Sequence, residues 1–153
     1  LHLSIRRQRQ MCIRDRGHIT GLGENVRIND RFFLGGSSLR GFEPGGVGPR
    51  DRITDDSLGG NVFYAATGEV TVPLNLTRDF DIDFAVFSDV GTLTNVDDAG
   101  SEVQDVSDSR ASVGGGLAYL SPFGPIRVDY AKAVLKQDFD QTENFRFSFG
   151  ARF

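Results

Sequence analysis

The closing stretch "NFRFSFGARF" (144–153) alternates without interruption. Phe145, Phe147, Phe149, Ala151 and Phe153 fall on one side, and Arg146, Ser148, Gly150 and Arg152 on the other. Period-two alternation of this kind marks a β-strand with unlike faces. Ends of soluble domains usually fray into water. A terminal Phe that continues an aromatic row instead implies an end embedded at a membrane interface.

Working back from this strand, four more segments alternate in the same way. In "NVFYAATGEVTVPL" (61–74), Val62, Tyr64, Ala66, Val70 and Val72 oppose Asn61, Phe63, Ala65, Thr67, Glu69 and Thr71. In "FDIDFAVFSDVGTL" (80–93), Phe80, Ile82, Phe84, Val86 and Val90 oppose Asp81, Asp83, Ala85, Phe87 and Asp89. Val113, Leu117 and Tyr119 oppose Ser112, Gly114 and Gly116, and Ile126, Val128 and Tyr130 oppose Arg127 and Asp129. The expected fold is all-β, with antiparallel strands at about residues 59–74, 80–93, 110–120, 125–134 and 144–153. The connections 75–79 and 121–124 are short, whereas 94–109 and 135–143 are long, polar and acidic. Short and long connections therefore alternate, as in outer-membrane barrels. A ten-residue strand rises about 33 Å, and tilted by roughly 40° it covers the lipid-facing band of about 25 Å. Alternation by itself leaves two arrangements open. A soluble β protein turns its Phe/Val/Ile faces inward, and a membrane barrel turns them to lipid.

Composition agrees with β structure: 19 Gly and 13 Phe in 153 residues, with no Trp. Mean hydropathy is -0.25, and no run approaches the roughly 18 to 20 apolar residues of a membrane helix. The chain begins at Leu1 and is read as a piece of a longer protein. Residues 1–16 hold five arginines against one aspartate, net +4, leaving -8 on the remainder of a chain whose formal charge is -4. The composition changes abruptly at Gly17, so residues 1–16 are expected to be foreign to the domain or disordered, with residues 17–153 forming the domain. Cys12 lies in that segment, and a single cysteine supports no disulfide framework.

Ahead of the first of these strands lies "FFLGGSSLRGFEPGGVGPRD" (32–51), in which five glycines and two prolines surround Leu39-Arg40-Gly41-Phe42. The stretch is too long for a hairpin turn and too rich in glycine for a helix. It has no Lys-Ser/Thr and no following helix, which excludes a phosphate cradle. "DFDID" begins like a calcium loop, but Phe84 and Val90 stand where Gly and Glu are required. His18 has no partner at a catalytic spacing. The residues therefore supply no catalytic group, metal set or cofactor site, and no enzyme activity or nucleic-acid partner is expected.

Taken together, "RFFLGGSSLRGFEPGGVGPRD", "LGGNVFYAATGEVTVPL", "FSDVGTL", "YLSPFGPIRVDYAKAV" and "FRFSFGARF" resemble the C-terminal part of the BamA-type assembly factors of the bacterial surface antigen family. The resemblance runs from about residue 20 to Phe153. It implies the last five strands of a transmembrane barrel of about sixteen, here an open curved sheet. The missing parts would be the first barrel strands and the periplasmic domains. It also implies a bacterial outer-membrane location and a role in inserting nascent β-barrel proteins, with accessory lipoproteins and the lipid bilayer as further partners. Relatives implied as alternatives are a translocation-and-assembly subunit or a two-partner secretion transporter; a passive porin-like channel is a further one.

Within this resemblance, Arg40, Gly41 and Phe42 match a loop motif that folds into the barrel and sets its arginine against acids of the wall. Glu69 and Asp89 match those acids, and the alternation independently puts both on the charged faces of neighbouring strands. Arg40 is thus expected within about 4 Å of one of the two carboxylates. The alternative is a solvated loop arginine. Phe145, Phe147, Phe149, Gly150 and Phe153 match the C-terminal signal and one side of the seam through which client strands would enter. Gly150 is expected to weaken pairing there.

Overall fold

The computed structural model describes residues 9–77, 80–97, 102–121 and 124–150. Strands β1 (Arg9–His18), β2 (Arg50–Asp51), β3 (Val62–Thr77), β4 (Phe80–Thr94), β5 (Val103–Gln104), β6 (Arg110–Ser121), β7 (Gly124–Leu135) and β8 (Phe145–Phe149) are joined by loops and one short 3-10 turn, Ile28–Asp30. Six of them form one antiparallel sheet in the order β1-β3-β4-β6-β7-β8. β2 and β5 pair separately, tying two loops together.

The five expected strands are present, with shifted ends. β3 runs on to Thr77, because the ladder with β4 resumes at the pair Thr77 and Phe80 after a register shift beyond Leu74. β8 ends at Phe149, and Gly150 turns away at φ 123° while still donating to the Pro125 carbonyl at 3.1 Å. Phe153, expected at the end of this strand, lies outside the described residues. The disorder expected of residues 1–16 is not found over 9–16, which belong to β1; residues 1–8 lie outside the described residues. β1 satisfies the edge hydrogen bonds of β3, and its side chains are exposed along nearly its whole length. It is attached through its main chain and adds no side chain to the core.

The core decides between the two arrangements that alternation leaves open. It consists of Leu34, Leu39, Phe42 and Val47 from the glycine-rich loop, packed on Ala65 of β3 and Leu93 of β4. The loop lies on the face that carries the charges and small residues. Asp89 is only 1% exposed there, whereas Val86 on the opposite face of the same strand is 53% exposed and Phe147 of β8 is 61% exposed. Leu117, Val113 and Tyr130 continue this exposed apolar face. The sheet is therefore apolar outside and polar inside, the reverse of a soluble sandwich.

Small residues on the inner wall make the loop's seat. A Cβ at Gly114 of β6 would lie 2.6 Å from the Phe87 ring, and one at Gly116 would lie 2.0 Å from Asp129 Oδ1. Absence of side chains at these points lets an aromatic ring and a carboxylate lie flat over the strand. In lipid, Leu117→Arg is expected to destabilise the full-length barrel by about 2–4 kcal/mol, as for a cation at mid-bilayer on a lipid-facing strand. Leu117→Met should be close to neutral. Urea unfolding in vesicles measures both, and an arginine tolerated as well as methionine would put this face in water.

Candidate functional site

The glycine-rich loop is fastened at its neck before it reaches the wall. Phe32 and Gly60 bridge across its base, Leu34 and Val47 bridge further in, and Gly36 donates to the Phe42 carbonyl at 2.9 Å. Asp51 braces the far limb, its Oδ1 accepting from Ile53 N at 2.7 Å and Thr54 N at 3.0 Å. These two main-chain donors, that of Thr54 foremost, hold the Asp51 carboxyl below its ordinary range. The loop tip that results presents Arg40 to the inner face of β3 and β4.

Register puts two carboxylates under that tip. Glu69 stands opposite Phe87, and Thr67 stands opposite Asp89, so Glu69 and Asp89 are diagonal neighbours on one face. Arg40 Nε and Nη2 donate to Asp89 Oδ2 and Oδ1, both at 2.8 Å, forming a fork on one carboxylate. Arg40 Nη1 donates to Glu69 Oε2 at 2.6 Å, and the Arg40 main-chain N–H donates to Asp89 Oδ2 at 3.1 Å. The guanidinium also stacks on Phe87, its Cζ lying 3.4 Å from the ring centroid. Arg40, Glu69 and Asp89 are all buried.

The two neighbours of Arg40 in the motif fix how deep the tip sits. Gly41 has φ 91°, and a Cβ there would meet Ser112 Cβ at 3.0 Å. Both the backbone angle and the close approach to β6 select glycine. Phe42 is fully buried in the core cluster and anchors the tip on its other side.

A second cation in the wall is not among the residues singled out from the sequence. Arg127 of β7 donates from Nη1 and Nη2 to Glu69 Oε1 and Oε2 at 3.1 and 2.9 Å, and from Nε to both oxygens of Asp129 at 2.8 and 2.9 Å. Glu69 therefore carries a fork from the wall itself, and Arg40 adds a single bond to it. The signal for Arg127 was available: the alternation puts it and Asp129 on the face of their strand opposite Ile126, Val128 and Tyr130. Alternation alone did not say which face looked inward, and the distance across the inner surface could not be read from spacing. Phe87 was likewise assigned to the charged face without a role.

This arrangement, an inside-out antiparallel sheet with an arginine-tipped loop pinned to its polar face, can be compared with known proteins. The profile of the Omp85 superfamily domain matches residues 10–153. The chain belongs to the Omp85 superfamily. It is 46% identical over 132 residues to an outer membrane protein assembly factor BamA of Neorickettsia risticii, covering 86% of this chain and 18% of that protein. It is 28% identical over 160 residues to the BamA of Neisseria meningitidis, covering 87% of this chain and 20% of that protein. A SAM50-like protein of Schizosaccharomyces pombe is 31% identical over 122 residues, with 76% and 25% covered. The chain thus spans about a fifth of the two BamA proteins it matches (18% and 20%). A crystal structure of Haemophilus ducreyi BamA lacking POTRA domains 1–3 superposes with a TM-score of 0.71 at 24% identity, covering 92% of this chain and 34% of that one. The fold is accordingly that of the C-terminal strands of an Omp85 barrel.

In this Omp85 chain the residues of the last strand do not meet Arg40. Phe145, Phe147 and Phe149 are exposed on the outer face, and the outer edge of β8 has no strand beside it among the described residues. Among the described residues, no group of three or more His, Cys, Asp or Glu is arranged to hold a metal ion.

The unequal sharing of the carboxylates has a consequence that can be measured. Asp89→Asn removes the charge that the Arg40 fork requires and is expected to weaken loop seating by about 3–5 kcal/mol, as for a broken buried ion pair. Glu69→Gln weakens one Arg40 bond and breaks the Arg127 fork, leaving Arg127 with Asp129 as its charged partner, so it should lower barrel stability while leaving the tip seated. Protease access to residues 32–51, read beside the heat-dependent gel mobility of the full-length barrel, separates the two effects. Equal loop exposure in both variants would refute this division of roles.

Proposed function

We propose that the chain is the C-terminal part of an outer-membrane barrel that assembles other β-barrel proteins into the bacterial outer membrane. The role is non-catalytic. Nascent outer-membrane barrel proteins and the bilayer are its partners, with accessory lipoproteins as further ones. The observation that carries the reading is the Arg40 brace on the inner face of a sheet whose apolar face points outward. The BamA names of its relatives point the same way.

Physically, such a barrel acts by lowering a barrier and forms no covalent bond with its client. By the resemblance to BamA-type factors, strand β8 is one side of the seam between first and last barrel strands, and an incoming strand can pair with it there by β-augmentation. Its exposed Phe row serves at once as lipid contact and as the alternating pattern that such pairing reads. Arg40, Gly41 and Phe42 keep the inner wall under the loop in one shape while the edge is exchanged.

A passive channel is the less favoured reading, since the loop covers the inner face that solutes would line. In the full-length protein, Arg40→Ala is expected to reduce the accumulation of newly made outer-membrane barrel proteins several-fold. Pulse labelling in cells depleted of the unaltered protein measures this. Unchanged accumulation, combined with raised ion conductance in planar bilayers, would identify a loop-gated channel instead.

A further inference from the structure

A second guanidinium, remote from the Arg40 site in sequence, is buried completely. Arg110, the first residue of β6, and Asp140, in the loop between β7 and β8, both have side chains 0% exposed. Arg110 Nε donates to Asp140 Oδ2 at 3.0 Å and Nη2 to Oδ1 at 3.3 Å. Its Nη1 donates to the Val106 and Asp108 carbonyls, both at 2.7 Å. Asp140 Oδ2 also accepts from Gln137 N at 2.7 Å, and Gln137 Nε2 donates to Asp108 Oδ2 at 3.0 Å. One guanidinium thereby ties the end of the β4–β6 loop to the β7–β8 loop.

Each of these two loops grips the brace loop through its main chain. On one side β5 pairs with β2, and Arg52 N donates to the Glu102 carbonyl at 2.8 Å. On the other side Glu43 N donates to the Gln141 carbonyl at 3.0 Å, Gln141 N to the Gly46 carbonyl at 3.0 Å, and Glu143 N to the Gly41 carbonyl at 3.2 Å. Gly41 directly follows Arg40. Gly46 approaches so closely that a Cβ there would lie 2.4 Å from the Gln141 carbonyl oxygen. Among the described residues Arg110 makes no hydrogen bond to the brace loop, yet it holds both segments that do.

We propose that Arg110 and Asp140 form an outer latch that positions the Arg40 brace, with Arg110 as a positioning residue. A buried guanidinium cannot shed its charge, so neither loop can lift alone without leaving an unpaired ion in the interior. The two loops therefore open together or not at all, and the brace is released only when they do. The importance of this for client assembly rests on the function proposed above; the latch itself is tested without measuring assembly.

The test uses the full-length protein in outer membranes, with Cys12→Ser and a reporter Leu39→Cys. Leu39 is fully buried beside Arg40, so maleimide reacts there only when the brace lifts. Asp140→Asn and Arg110→Gln are expected to raise the labelling rate about tenfold or more while the folded barrel keeps its gel mobility. Arg110→Lys keeps the charge but lacks the fork and the reach to both carbonyls, and should raise it less. If the first two variants fail to fold, Arg110→Lys decides: faster labelling supports the latch and unchanged labelling overturns it. Unchanged Leu39→Cys labelling beside new protease cuts in residues 136–143 would also overturn it, reducing the pair to a local staple. Faster labelling with normal client assembly in the same cells would uphold the latch and sink the assembly role of the brace.

Discussion

Arg40 cannot be neutralised, and it lies out of water against the inner wall of the sheet. Wherever such a guanidinium is buried, carboxylates must be held ready for it. Asp89 supplies both oxygens and Glu69 one. The rest of the architecture follows from this requirement. The acids must stand on one face of adjacent strands, that face must be the covered one, and the apolar face must then turn outward. The same constraint explains the glycines and alanines of the wall, which leave room for a loop, a ring and two ion pairs in a thin layer.

The strand register carries the precision. A slip of one residue between β3 and β4 would send Glu69 or Asp89 to the outer face, because side chains alternate with period two. As built, Glu69, Phe87 and Asp89 form a compact patch that matches one guanidinium with charge, fork and stacking surface together. Arg127 then completes Glu69 from the wall side and bridges to Asp129, so the acids stay fixed by the sheet itself. The loop docks onto a prepared surface, and its own core residues, Leu34, Leu39, Phe42 and Val47, hold it there by burial.

Membership of the Omp85 superfamily places this brace in a barrel wall, and among the described residues β8 is the margin of the sheet. The proposed assembly role needs both properties at once: an edge loose enough to exchange partners and a wall firm enough to keep its shape. The charged network sits on β3, β4 and β7, with β8 at the margin. In that proposal, firmness falls to β3, β4 and β7 and partner exchange to β8.

Alternation in segments such as 80–93 and 144–153 determined, from the sequence alone, that the chain forms antiparallel strands and which residues share a face. It also put Glu69 and Asp89 on charged faces, while the glycine content of 32–51 put Arg40 in a loop. Its blind spots were physical ones. Hydrophobic patterning measures how unlike two faces are and is silent on which one meets lipid, so the choice came from the terminal Phe and from the resemblance. The exposure of Val86 and the burial of Asp89 settle it in the fold. Residues 1–16 were expected to be foreign to the domain or disordered, yet 9–16 pair with β3, because a ladder depends on main-chain groups that composition does not report. Arg127 with Glu69, 58 residues apart, and Arg110 with Asp140, 30 apart, were decided by tertiary structure alone. Such pairs form where strand order and loop path bring side chains together, and no local spacing encodes that distance.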